Sequence, residues 1–203
     1  MSNMFSGIVA GLGIVEHIED KNQLRHIRIR LPEGTKENIS QGASISLDGV
    51  CLTVVEFSEH TASFDIIFET LSRTTLSKVE IGDMINIERA MKYGDEIGGH
   101  NVSGHIDHMA EIINIDTPEN NHIVKLKIPE DYMPYIIEKG YIALDGCSLT
   151  IAEVFDEGFK VCLIPETLRR TTFGFKKEGD FVNFEIEANT KAIVDSINKK
   201  KGE

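Results

Sequence analysis

The sequence predicts an all-β protein made of two copies of one small antiparallel barrel or sandwich, followed by a C-terminal helix. Three observations lead there. Phe68-Glu69-Thr70-Leu71-Ser72-Arg73-Thr74-Thr75 returns as Pro165-Glu166-Thr167-Leu168-Arg169-Arg170-Thr171-Thr172, and Leu47-Asp48-Gly49-Val50-Cys51-Leu52-Thr53 returns as Leu144-Asp145-Gly146-Cys147-Ser148-Leu149-Thr150, both displaced by 97 positions. A unit of that length is a duplicated domain, not a solenoid period. Within each copy, apolar residues recur every second position, as Ile27, Ile29 and Leu31 do against Arg28 and Arg30, which is the pattern of half-buried strands. The third observation is Asp-Gly at matching places in both copies, a pair that tolerates the positive φ of a tight hairpin.

The elements follow in chain order. Strands are expected over Arg25 to Leu31, Ser44 to Leu47, Leu52 to Phe57, Ser63 to Phe68 and Met84 to Arg89, each with a counterpart 97 residues on, such as Val124, Leu126 and Ile128 against Lys125 and Lys127. Asp48-Gly49 and Asp145-Gly146 are expected hairpin turns. Gly94 to Asn101, with three glycines, reads as a flexible join. Pro129-Glu130-Asp131 opens a short helical stretch ending at Gly140. The expected domains are residues 4–97, 98–190 and a helix and tail over 191–203. In that tail Ala192, Ile193, Val194 and Ile197 lie at helical spacing, an apolar stripe suited to oligomerisation.

Composition excludes several functions. The 203 residues carry 21 Lys+Arg against 33 Asp+Glu, a net charge of −12, and the lone basic run, Lys199 to Lys201, is no nucleic-acid surface. No apolar run is long enough to span a membrane, and Met1 to Phe5 does not open a secretory signal, so the expected location is the cytoplasm. The sequons at Asn38 and Asn101 are then without consequence. Cys51, Cys147 and Cys162 are an odd number without CxxC pairing, which suggests neither disulfides nor zinc. Gly11-Leu12-Gly13 is too short for a dinucleotide fingerprint.

Chemistry is expected where the copies differ. Cys51 stands opposite Ser148 in the repeat, Ile8 opposite His105, and Asp65 opposite Cys162. Cys51 is a potential nucleophile or a small core residue. His105 suits general acid–base work, with a hydrogen-bonded structural histidine as the alternative. His100, His105 and His108 beside Asp107 resemble a metal set, but strand geometry would turn His105 and His108 to opposite faces, so no metal is expected. Glu69-Thr70 and Glu166-Thr167 are candidates for turn capping.

Several of these segments carry a resemblance. Met4-Phe5-Ser6-Gly7-Ile8-Val9, Gly49-Val50-Cys51-Leu52-Thr53-Val54, Gly98-Gly99-His100-Asn101-Val102-Ser103-Gly104-His105-Ile106, Asp145-Gly146-Cys147-Ser148-Leu149-Thr150 and Ile164-Pro165-Glu166-Thr167-Leu168 together resemble the alpha-type riboflavin synthases, from Met4 to about Ser196. The resemblance implies two six-stranded antiparallel barrels, a C-terminal helix and a homotrimer, with Met1-Ser2-Asn3 as an extension. It implies a dismutation in which two molecules of 6,7-dimethyl-8-ribityllumazine exchange a four-carbon unit to give riboflavin and 5-amino-6-(ribitylamino)uracil, without external cofactor. It allows an association with lumazine synthase.

Carried over by position, the N-terminal pocket would involve Gly7, Ile8, Val9, Ser44, Cys51, Leu52, Thr53 and the run Asp65, Ile66, Ile67, Phe68, Glu69 and Thr70. The C-terminal pocket would use Gly104, His105, Ile106, Lys139, Ser148, Leu149, Thr150 and the run Cys162, Leu163, Ile164, Pro165, Glu166 and Thr167. His105, Ser148 and Thr150 are the expected proton relay, with Cys51 or water adding to C7 of the second lumazine. Glu187 stands where the family often has aspartate, and Val50 where some members have a second cysteine. The rival readings are a non-catalytic lumazine or flavin antenna, and a structural trimer with no small-molecule ligand.

Overall fold

Alternating apolar residues in the first half close into a barrel of six strands: β1 (Gly11–Lys21), β2 (Leu24–Arg30), β3 (Ser44–Leu47), β4 (Val50–Phe57), β5 (Thr61–Ile67) and β6 (Met84–Arg89). The computed structural model describes residues 4–119 and 121–201; the Met1-Ser2-Asn3 extension and the last two residues of the tail lie outside them. The second half gives β7 (His108–Asp116), β8 (His122–Lys127), β9 (Tyr141–Leu144), β10 (Cys147–Phe155), β11 (Gly158–Leu163) and β12 (Phe181–Ile186). The two closed barrels have the same cyclic strand order, β1-β2-β5-β4-β3-β6 and β7-β8-β11-β10-β9-β12. Even the bulges repeat: Val15/His17 matches Ile112/Asn114, and Val54/Glu56 matches Ile151/Glu153. An extra residue bends the strand sharply, as closing so small a barrel requires.

The hairpin turns form as expected. Asp48 and Gly49 have φ of 44° and 83°, and Asp145 and Gly146 have 44° and 78°, with Leu47 pairing Val50 and Leu144 pairing Cys147 across them. Two expectations need correction. The strand does not run through Phe68, and Glu69-Thr70 is not a simple turn, because α1 (Phe68–Arg73) begins there; its counterpart is α2 (Pro165–Arg170), with proline in the first turn. The stretch after Pro129 is a single 3-10 segment, Glu130–Tyr135, that stops well short of Gly140. The backbone beyond it is captured elsewhere: the Lys139 amide donates to the Ile151 carbonyl of β10 at 2.9 Å, so a helix could not continue.

Each barrel has its own apolar core, but the cores borrow across the repeat. Val9 packs into the core of the second barrel, and Ile106 packs against that of the first. Phe5 and Val102 exchange both backbone hydrogen bonds at 2.8 and 3.0 Å, and Phe5 is fully buried. The segments leading into β1 and β7 are therefore swapped between barrels. Glu88 on β6 accepts the amides of Ser6 and Gly7, and Glu185 on β12 accepts those of Ser103 and Gly104, so the backbone groups of each crossing are satisfied.

Asn86 and Asn183 stitch the seam. The Asn86 side chain donates to the Asp145 carbonyl at 2.9 Å and accepts the Thr172 amide at 2.8 Å; Asn183 donates to the Asp48 carbonyl and accepts the Thr75 amide, both at 2.8 Å. At the far end α3 (Ala188–Lys201) lies on the second barrel, held by a Lys191–Asp107 ion pair and by the Tyr135 hydroxyl donating to Asp195 at 2.5 Å. Its apolar stripe is left bare, with Ile193 60% and Ile197 48% exposed. No described helix is long and apolar enough to cross a membrane.

Candidate functional site

Strand alternation sorts the expected site residues. Leu52, Ile66, Leu149 and Leu163 point into the cores, where only their backbone can meet a ligand, while Cys51, Thr53, Asp65 and Ile67 on β4 and β5, Ser148 and Thr150 on β10, Cys162 on β11 and Ile164 just after it lie on the outer faces. Each barrel thus offers a patch on its outside wall, not a hole through its middle.

The swap decides what joins each patch, and it reverses the expected grouping. Gly104, His105 and Ile106 belong with Cys51, because the Cys51 amide donates to the Gly104 carbonyl at 2.9 Å. Gly7, Ile8 and Val9 belong with Ser148, whose amide donates to the Gly7 carbonyl at 2.8 Å. Glycine is required at both crossings: at φ of +82°, a Cβ on Gly104 would come within 2.4 Å of the Cys51 Cβ, and at +74° one on Gly7 within 2.6 Å of the Ser148 Cβ. His105 therefore shares a pocket with Cys51, and does not join Ser148 and Thr150 as the relay expectation had it.

In the first pocket, about 230 Å³, Cys51 and His105 face Glu69, Thr70 and Arg73 of α1. Glu69 is paired with Arg73 at 3.1 Å. Burial pushes the half-buried Cys51 thiol up, against a hydrogen bond with Ser44 that acts the other way. Cys51 is then a thiol at neutral pH and must lose its proton as it attacks. His105 precedes β7 and is exposed, so the strand geometry expected for it does not apply. Asp65, further out, is bound to His26 at 2.8 Å, and Ile67 and Phe68 are bare.

The second patch has a partner that sequence reasoning missed. His100 Nδ1 lies 2.7 Å from the Ser148 hydroxyl, and its ring stacks on Tyr141 with centroids 5.4 Å apart. Burial lowers the His100 pKa, more than the Glu187 charge raises it, so the ring is neutral at neutral pH and can accept the Ser148 proton. Gly98 and Gly99 permit this approach: a Cβ on Gly99 would sit 2.5 Å from the Ser148 Cβ. The signal was available in the pair of glycines before His100 in a join that has no counterpart in the repeat.

Beside it, Glu187 lines a groove of about 380 Å³ with His100, Tyr141 and Ile97. Its carboxylate accepts the amides of Asn189 and Thr190 at 3.0 and 2.8 Å and both their side chains, capping α3. Despite the opposing effect of burial, these donors hold its pKa below the ordinary range. Lys139 donates to the Ala152 carbonyl at 3.2 Å, and Glu166 is tied to Arg169 and Arg170.

The three cysteines differ enough to test this geometry. Cys162 is exposed, and burial pushes Cys147 up to about 12. In a Cys162→Ser protein at pH 7, iodoacetamide should modify Cys51 several-fold more slowly than a free thiol, the rate rising about tenfold per pH unit up to its pKa, while Cys147 stays untouched. Modification of Cys51 at the rate of a free thiol would contradict the pocket described.

The duplication is also visible in the chain's likeness to known proteins. A family model for the lumazine binding domain matches twice, at residues 6–90 and 103–187. The chain belongs to the lumazine-binding domain family. Both matched copies of this domain begin inside the swapped segments. The chain is 45% identical over 197 residues to the riboflavin synthase of Escherichia coli (strain K12), covering 97% of this chain and 92% of that one. It is 42% identical to that of Buchnera aphidicola subsp. Schizaphis graminum (strain Sg), covering 97% and 95%. Among solved structures, LumP complexed with 6,7-dimethyl-8-(1'-D-ribityl) lumazine superposes with a TM-score of 0.81 at 29% identity, covering 89% of this chain and 98% of that one.

Proposed function

We propose that the protein is a riboflavin synthase, which moves a four-carbon unit between two molecules of 6,7-dimethyl-8-ribityllumazine and releases riboflavin and 5-amino-6-(ribitylamino)uracil. The identity to riboflavin synthases along nearly the whole chain carries this reading. The unlike chemistry of its two patches supports it, since one lumazine donates the fragment and the other accepts it. Cys51 adds to C7 of one lumazine as its proton passes to His105, with water as the alternative nucleophile. Ser148, backed by neutral His100, removes a proton from the acidic C7 methyl of the other, with Thr150 on the same face. Both substrates act on each other, so no external oxidant or reductant enters.

The patches are open on the single chain, with Thr53, Ile67, Thr150 and Ile164 all exposed. A homotrimer, in which the first barrel of one subunit closes on the second barrel of its neighbour, would cover them and bring the two lumazines face to face. The bare Ile193 and Ile197 of α3 supply an assembly surface. Deleting Asn189 to Glu203 should give a monomer in sedimentation; a trimeric truncation would mean that barrel contacts suffice. An association with lumazine synthase rests on the family resemblance.

The deciding experiment incubates chromophore-free protein with 6,7-dimethyl-8-ribityllumazine alone. Riboflavin and the diaminouracil should appear in equal amounts, two lumazines being consumed for each riboflavin. Tight binding without turnover would make the protein an antenna, and absence of binding would refute both readings.

A further inference from the structure

Away from both patches, a cavity of about 490 Å³ opens at the seam between the barrels, lined by Asp48, Thr75, Thr172 and Lys176 among others. Buried polar atoms without partners concentrate here. The hydroxyls of Thr75 and Thr172, which both line it, are buried without a hydrogen bond, and Thr172 is only 2% exposed. Each such atom costs stability unless something answers it.

The duplication indicates what is needed. Asp145 has an ammonium beside it, Lys176 Nζ at 3.4 Å. Ninety-seven positions earlier, Asp48 repeats Asp145 and Val79 stands in place of Lys176. Asp48 is 5% exposed, accepts the Asn86 amide, and forms no ion pair among the described residues. Lys78 is turned onto the Phe181 ring, 4.5 Å from its centroid, and Asp83 and Asp180 at the rim each accept an amide of their own turn. Two buried carboxylates thus face one ammonium, so one of them needs either a proton or a second cation. Burial, and then the charge of Asp145, raise the Asp48 carboxyl well above its usual range, and the Lys176 ammonium opposes them without outweighing them.

We propose that the seam binds a small monovalent cation, held by Asp48 and the hydroxyls of Thr75 and Thr172, in the role that the Lys176 ammonium plays for Asp145. Oxygen donors suit an alkali ion. Among the described residues no group of three or more His, Cys, Asp or Glu side chains could hold a metal ion, which argues against a transition metal here.

The test compares melting of the full chain in potassium, sodium or rubidium chloride with melting in tetramethylammonium chloride, whose cation is too large, at equal ionic strength. At least one alkali ion should raise Tm saturably, by about 3 to 5 °C at tenfold excess over its midpoint. Asp48→Asn should abolish the dependence, and so should Val79→Lys, which supplies the missing ammonium from the chain. Equal melting in all salts, or a persistent dependence in either variant, would overturn the proposal and leave a proton on Asp48. Should the variants not fold, rubidium-soaked crystals give an independent reading: an anomalous peak beside the Asp48 carboxylate is expected, and its absence is refuting.

Discussion

A Gly104→Ala protein should lose about 4 kcal/mol or more of stability, seen as a fall in Tm of roughly 8 to 16 °C for a chain of this size. Two costs combine. The backbone at φ +82° disfavours any side chain, and the new methyl would lie 2.4 Å from the Cys51 Cβ and 2.8 Å from its amide nitrogen. Strain alone accounts for about 1 to 2 kcal/mol; the remainder is overlap that only movement of the crossing segment relieves. Gly82→Ala separates the two, because Gly82 has φ +98° with nothing within 4 Å of the added methyl. That control should show the strain cost only. Since the segment that moves carries His105 past Cys51, any folded Gly104→Ala protein should also lose turnover more than Gly82→Ala does. Equal Tm for the two variants would mean that the crossing is looser than the geometry states.

The second large effect is expected at Asn86 and Asn183, which are 2% and 0% exposed. Asn183→Ala leaves the Thr75 amide and the Asp48 carbonyl unanswered at the seam. At about 1 to 3 kcal/mol for each orphaned group, the cost is about 2 to 6 kcal/mol. Asn86→Ala should cost a similar amount by the equivalent losses at Thr172 and Asp145. Because both side chains join one barrel to the other, the variants should also divide a single melting transition into two, and the double variant should be non-additive. An unsplit, unshifted calorimetric transition in Asn183→Ala would show that the barrels are held together by the swapped segments alone.

The duplication, the strands and the Asp-Gly turns were legible in the sequence, because each depends on spacing: 97 positions for the copies, two for the strands, two residues for the hairpin. The swap was not. A repeat in which Gly7 serves Cys51 and Gly104 serves Ser148 has the same internal register as one in which they exchange, so the offset cannot choose; only Val9 in the second core and Ile106 against the first do so. His100 stayed hidden among three closely spaced histidines, where a superficial likeness to a metal set drew attention from its reach to Ser148. Glu187, expected near substrate, shows a use that sequence alone did not suggest, since a carboxylate before a helix is read as a cap only once the helix start at Ala188 is fixed.

The exchanged segments also set an order on biosynthesis. All six strands of the first barrel have been translated once Arg89 is added, yet the wall beside Cys51 is built from Gly104 to Ile106, and the partner of Phe5 is Val102. A nascent chain arrested between those points holds a barrel with an unfinished mouth and a leading segment that Glu88 can anchor at Ser6 and Gly7 but whose Phe5 still lacks Val102. Domains that finish folding as they emerge need no such wait. Here the wall beside Cys51 is completed only when the opening segment of the second half has been made.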